Sequence, residues 1–112
     1  MKKIEAIIRP DRLSFVREAL EKVGYSGLMI TEIQGHGKQK GITQQWRGEQ
    51  YRVEFLPKTK LEIVVKDSEV EKIIKTIVES GRTGEIGDGK IFIYSIEDAI
   101  RIRTNERGEI AL

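Results

Sequence analysis

Residues 60–97 read KLEIVVKDSEVEKIIKTIVESGRTGEIGDGKIFIYSIE. The opening 60–66 is β-branched and apolar and reads as a strand. Over 69–79, Val70, Ile73, Ile74, Ile77 and Val78 share one helical face. Ser68 with Glu71 makes a capping box at the start of that helix, and Gly81 ends it. Residues 90–97 read as a further strand. The N-terminal part repeats this βαβ order. Residues 2–9 (KKIEAIIR) form a strand ended by Pro10. Residues 11–23 place Leu13, Val16, Leu20 and Val23 on one stripe, with Asp11 as N-cap and Gly24 as stop. Residues 28–34 (LMITEIQ) form a second strand. Two such halves predict the α+β class, a ferredoxin-like βαββαβ sandwich with both helices on one sheet face.

Two features do not fit a plain sandwich. The strands contain AII, IVV and IFIY, consecutive apolar residues where a strand with one wet face should alternate. The second face is therefore expected to be covered, most simply by another subunit. Residues 35–57 are also too long for an ordinary connection, 23 residues with four glycines. They are either a tolerated insertion or a regulatory loop. Tyr51, Val53 and Phe55 alternate with Arg52 and Glu54, so part of it can extend as a hairpin arm. Trp46 and Tyr51 are aromatics in a polar loop, a composition that contacts partners. Its poor apolar content predicts mobility without a partner.

The bulk composition narrows the function. A length of 112 residues fits one domain. Net charge is only +2, too balanced for general nucleic-acid coating. An RNA-binding module of this fold needs aromatics on its central strands, and Lys60 to Lys66 has none. Cysteine is absent, which fits a reducing cytoplasm. The longest apolar run is four residues, Ile91 to Tyr94, and the N-terminus shows no signal-peptide pattern, so no membrane insertion is expected. His36 is the single histidine, and no Ser/His/Asp grouping can be assembled. The expectation is a binding protein, not an enzyme.

Three elements point to an anionic ligand. Gly84 to Lys90 (GEIGDGK) offers glycine backbone and one fixed cation between the second helix and the last strand. It matches GxxxxGK formally, but Ile91 stands where a P-loop needs Ser or Thr, and a strand follows instead of a helix. It is either a phosphate cradle of another design or a glycine-rich turn. Gly35 to Gly41 (GHGKQKG) is either a hinge or a ligand contact. Arg101, Ile102 and Arg103, read as extended chain, would point both guanidiniums to one side, as phosphate ligands or as a solvated pair.

These segments resemble the nitrogen regulatory PII signal-transduction proteins. The likeness covers essentially all 112 residues. Its most specific part is Thr83 to Phe92 (TGEIGDGKIF), followed by Ile100 to Thr104 (IRIRT), Met1 to Pro10, and Phe55 to Lys58. The resemblance implies a homotrimer that binds ATP or ADP in clefts between subunits. It implies 2-oxoglutarate bound beside Mg-ATP, and a T-loop (about 37–55) that docks on target proteins of nitrogen metabolism. It names a B-loop at about 82–90 and a C-terminal loop at about 101–112. Carried over residue by residue, Gly87, Asp88, Gly89 and Lys90 hold phosphates, and Arg101 and Arg103 reach them from the next subunit. Gly35, Gly37 and Lys38 line the cleft, with Val64 and Met29 at the adenine. Gln39 helps coordinate Mg²⁺, Gln39, Lys40, Gly41 and Lys58 receive 2-oxoglutarate, and Tyr51 is the position some members uridylylate. Four positions depart from the common pattern, among them Trp46 at the T-loop tip, where many members have tyrosine. Met29 stands for a threonine, removing a hydroxyl contact. Lys38 stands for an arginine and cannot fork onto phosphates in the same way. Glu49 excludes the serine phosphorylation used by some members. The competing readings are a nucleotide sensor without a 2-oxoglutarate response and a weak ATPase.

Overall fold

Every second residue of β1 (Lys2–Ile8) is buried: Ile4, Ala6 and Ile8. β5 (Leu56–Val65) does the same with Leu61, Ile63 and Val65. Against this face lie Val16 and Leu20 of α1 (Leu13–Lys22) and Ile73 and Ile77 of α2 (Val70–Gly81), closing one apolar core. β2 (Met29–Gly35) and β6 (Lys90–Ser95) complete an antiparallel sheet of order β2-β5-β1-β6. This is the βαββαβ sandwich that the hydrophobic periods predict. The computed structural model describes residues 1–35 and 55–112. Between them it describes only the backbone of β3 (Thr43–Trp46) and β4 (Glu49–Arg52).

Those two strands pair as an antiparallel hairpin, Gln44 opposite Tyr51; of the arm expected over 51–55, Tyr51 and Arg52 lie on it, and Val53 and Glu54 lie outside the described residues. His36, Gly37, Lys38, Gln39, Lys40 and Gly41, the side chain of Tyr51, and the expected mobility of the loop lie outside the described residues.

Element ends differ from the sequence reading in instructive ways. α1 stops as expected: Gly24 turns to φ +97°, and the N–H groups of Gly24 and Tyr25 donate to the carbonyls of Glu21 and Leu20 at 3.0 and 2.9 Å. The helix starts do not use the side chains assigned to them. Asp11 sits inside a 3-10 turn, Pro10–Arg12, and α1 begins without a side-chain cap. Ser68 and Glu71 form no capping box, because Asp67–Glu69 make another 3-10 turn ahead of α2. The Glu69 N–H instead donates to the Lys66 carbonyl at 3.0 Å, and Asp67 pairs with the Met1 amino group at 3.0 Å. β5 begins at Leu56, four residues earlier than its hydrophobic run. Pro57 is tolerated there because β1 pairs only from Thr59 onward, leaving one side of β5 without a ladder at that point.

The face opposite the helices is less apolar than the consecutive apolar residues imply. Its centre is ionic: Lys3 and Lys60 both pair with Glu62, at 3.2 and 3.7 Å, and the Tyr94 hydroxyl donates to Glu5 at 3.0 Å. Ile7 of β1 and Val64 of β5 break the alternation and are half-buried, while on edge strand β6 Phe92, Ile93 and Tyr94 are all exposed.

Ile73 is fully buried where α2 meets the sheet. Ile73→Ala should lower unfolding free energy by about 2–5 kcal/mol through lost burial and a residual cavity. A urea titration followed by circular dichroism checks this, with the exposed Glu79→Ala expected within about 0.5 kcal/mol of the parent.

Candidate functional site

The B-loop, residues 82–90, leaves α2 at a tightly packed point. Gly81 is buried, and a Cβ there would stand 3.3 Å from Val16 Cγ2. Arg12 donates twice to the Ser80 carbonyl, at 3.1 and 2.6 Å, placing a cation on the C-terminal turn of α2. The loop then folds around one carboxylate. Asp88 accepts from the Thr83 N–H at 2.9 Å, the Gly84 N–H at 2.8 Å and the Thr83 hydroxyl at 2.5 Å. Arg9, at the end of β1, pairs with Asp88 at 2.9 Å and donates to the Ile86 carbonyl at 2.8 Å. Burial pushes the Asp88 carboxyl upward, but hydrogen bonds from Thr83, Arg9 and Gly84 outweigh it and hold the group well below the carboxylate range.

Glycine is required along this loop. Gly84, Gly87 and Gly89 have φ of 91°, 105° and 98°, conformations closed to most side chains. At Gly89 the constraint is also spatial, since a Cβ would fall 1.7 Å from the Ile7 carbonyl oxygen. The loop thus lies against β1 and delivers Lys90, exposed at the start of β6, beside Ile7. Backbone bent this way, with one cation beside it, suits an anion.

Lys58 belongs to the same group. It donates to the Gly87 carbonyl at 2.6 Å, and burial together with the nearby Arg9 guanidinium lowers its pKa against the pull of Asp88 and Asp11. Gly35 gives it room, because a Cβ there would lie 2.9 Å from Lys58 Cγ. Gly35, Lys58, Gly87, Asp88, Gly89 and Lys90 therefore gather at one end of the sheet. The Asp88 carboxylate is turned inward to the loop's own donors, which leaves its backbone as the part able to face an anion.

Met29, Val64, Arg101 and Arg103 do not join them. Val64 pairs with Lys3 and Met29 with Glu62, toward the far end of the sheet. Six residue steps along β5 separate Lys58 from Val64, about 20 Å at ~3.3 Å per step. The segment carrying the arginines leaves β6 at that far end, where the Ile96 N–H donates to the Met1 carbonyl at 3.1 Å. It is also not extended, which corrects the alternation argument. The Arg101 carbonyl accepts from the Thr104 and Asn105 N–H groups at 3.3 and 2.7 Å, so Arg101 and Arg103 sit on a turn. Arg101 pairs with Glu106 at 2.8 Å and donates to the Ile110 carbonyl at 3.0 Å, while Arg103 is exposed.

A cavity of about 350 Å³ opens on the helix side of the B-loop. Ile74, Ile77 and Val78 of α2 and Ile91 of β6 line it, with Gly89 and Lys90 at one wall and Arg82 at its lip.

The chain matches the family model described as nitrogen regulatory protein P-II over residues 1–106. The chain belongs to the nitrogen regulatory protein P-II family. It is 56% identical over its full length to a nitrogen regulatory protein P-II of Haemophilus influenzae, with all of that protein covered. It is 53% identical to nitrogen regulatory protein P-II 2 of Methanothermobacter thermautotrophicus, covering 97% of it, and 52% identical to nitrogen regulatory protein P-II 1 of Escherichia coli, covering all of it. Membership of the P-II family makes this chain a nitrogen regulatory protein, and no described helix is long and apolar enough to cross a membrane. Arg9 and Thr83, which shape this loop, lie in segments that carry the resemblance but receive no site role from the sequence. Their partner is Asp88, and for Arg9 that partner is 79 residues away.

The loop's carboxylate sets a pH dependence. Because the folded state holds Asp88 below its ordinary 3.8, its contribution is complete above that value and is lost as pH falls below it. Asp67 and Asp98 shift the same way and add to the slope. Urea midpoints should therefore fall as the pH drops from about 4 toward 2 in the parent, and fall less steeply in Asp88→Asn, which starts lower at pH 7.

Proposed function

We propose that the protein senses nitrogen, carbon and energy status by binding ATP or ADP in clefts between the subunits of a homotrimer. It takes 2-oxoglutarate beside Mg-ATP and regulates target proteins of nitrogen metabolism, whether enzymes, a transporter or a kinase, through the loop at 37–55. The observation that carries this is the B-loop: three left-handed glycines on a backbone tied by Arg9 and Asp88, ending at the exposed Lys90. A preorganised backbone and a fixed cation are what a polyphosphate needs, and charge-assisted contacts are worth about 1.5–3 kcal/mol each.

The division of candidate residues supports an intersubunit site. Lys90 opens β6 at one end of the sheet, and the segment that carries Arg103 leaves β6 at the other, which favours a ligand held between two copies. The exposed apolar edge of β6 supports the same assembly.

Mg²⁺ fits as a shared ion. Among the described residues no group of three metal-ligating side chains exists, and the Asp88 carboxylate is already taken by the loop. The ion would be held by Gln39 jointly with the nucleotide phosphates, as Mg²⁺ commonly is. It would supply positive charge for a dicarboxylate. Lys58 would supply the other cation, exchanging its bond to the Gly87 carbonyl for the ligand's carboxylate. The effector and nucleotide would then touch the same loop, which gives their coupling a physical route.

Calorimetry tests the reading. ATP should bind, and Lys90→Ala and Arg103→Ala should each weaken it by roughly 10-fold or more, the equivalent of about 1.4 kcal/mol. 2-Oxoglutarate should bind at least 5-fold tighter with Mg-ATP than without, in line with coupling of about 1–3 kcal/mol. Unchanged ATP affinity in both variants would move the phosphate site elsewhere. Equal 2-oxoglutarate affinity in both conditions would leave a nucleotide sensor alone. Light scattering should give a trimer mass, and a stable monomer would refute the assembly.

A further inference from the structure

Lys58 reaches the B-loop from β5, half-buried, with its Nζ 2.6 Å from the Gly87 carbonyl. Gly35, opposite Leu56 on the neighbouring strand, leaves room for its stem, since a Cβ there would stand 2.9 Å from Lys58 Cγ. The Arg9 guanidinium is close by, fixed to Asp88 at 2.9 Å and to the Ile86 carbonyl at 2.8 Å. Two cationic side chains thus share one corner of the fold. The Asp88 carboxylate faces the loop's own donors on Thr83 and Gly84.

This corner disfavours an ammonium and favours an anion. Burial and the Arg9 charge both lower the Lys58 pKa, against the pull of Asp88 and Asp11, so more of the neutral, nucleophilic amine is present than in an exposed lysine. Negative charge at the same place would meet the Arg9 guanidinium and the bent backbone of Gly87 and Gly89. A reaction that turns this amine into an anion is therefore favoured in both its reactant and its product. The reagent must be small and uncharged to reach a half-buried amine beside a guanidinium.

We propose that Lys58 is a carbon dioxide site, where the neutral amine adds carbon dioxide reversibly and the resulting carbamate is held by Arg9 and the B-loop backbone. The Nζ lone pair forms the N–C bond, one C=O π pair moves onto oxygen as the carboxylate charge, and a proton leaves the nitrogen for water. No oxidant or reductant takes part, and loss of carbon dioxide restores the lysine. The charge at position 58 changes from positive to negative. The regulatory consequence rests on the effector site proposed above: a carbamate repels a dicarboxylate, so carbon dioxide and 2-oxoglutarate exclude each other at Lys58.

Chemical trapping tests this on the parent protein. It is equilibrated with isotope-labelled bicarbonate near neutral pH, alkylated with triethyloxonium, digested and sequenced by mass spectrometry. The labelled ethyl carbamate should sit on Lys58, and its yield should rise with pH as the ammonium loses its proton. Label on the Met1 amino group or on surface lysines, with none on Lys58, would overturn the proposal. Carbon NMR with the same bicarbonate gives a second measure. One carbamate resonance of the parent should be lost in Lys58→Arg and kept in Lys66→Arg, with circular dichroism showing both variants folded. A spectrum unchanged in Lys58→Arg would overturn it too, and if that variant fails to fold, trapping on the parent decides alone. Adding Mg-ATP with 2-oxoglutarate should remove the label from Lys58. Label that persists while calorimetry shows the acid bound would overturn the exclusion. No binding of the acid by calorimetry, with Lys58 labelled, would sink the effector reading and leave the carbon dioxide site standing.

Discussion

The carboxylate of Asp88 is the constraint on which the site depends. One anion collects two backbone N–H groups, a hydroxyl and a guanidinium, and so fixes the loop that follows α2. Because Arg9 comes from the end of β1, the loop is referenced to the centre of the sheet and not only to its own helix. The same arrangement explains why the chain tolerates three strained turns in succession. Glycine removes the steric cost at Gly84, Gly87 and Gly89, and Asp88 offsets the ordering entropy that glycine adds.

The architecture is legible in the sequence because the core repeats with simple periods. Leu13, Val16, Leu20 and Ile73, Ile77 keep the helical spacing, and Ile4, Ala6, Ile8 and Leu61, Ile63, Val65 keep the strand spacing. Local polar chemistry is less legible. Ser68 and Glu71 satisfy the spacing of a capping box, yet Asp67 is drawn to the Met1 amino group and a 3-10 turn takes the helix start. Asp11 loses its place the same way, because Pro10 favours a turn before the helix. Spacing reports what a side chain can reach along the chain, and these outcomes were decided by contacts across it.

The candidate site divides along the same line. The glycines and Lys90 are visible in one short motif. Arg9, which holds that motif, looks from sequence like a strand-end charge beside a proline. The arginine segment differs in shape from what alternation implies: alternation assumes extended chain, whereas Arg101 closes a turn on Glu106 and Ile110. Lys58 appears in sequence as a cation after a proline, and only the fold shows it on the Gly87 carbonyl.

The distance between cradle and arginines has a genetic consequence. In the proposed homotrimer, closed head to tail, each chain would lend its B-loop to one cleft and its arginines to another. A subunit damaged at Lys90 and a subunit damaged at Arg103 would each be inert alone. Mixed in one ring, they would rebuild one undamaged cleft where the sound B-loop of one meets the sound arginines of the other. Two broken alleles could then complement each other, and a related chain made in the same cell could form hybrid clefts with properties of neither parent.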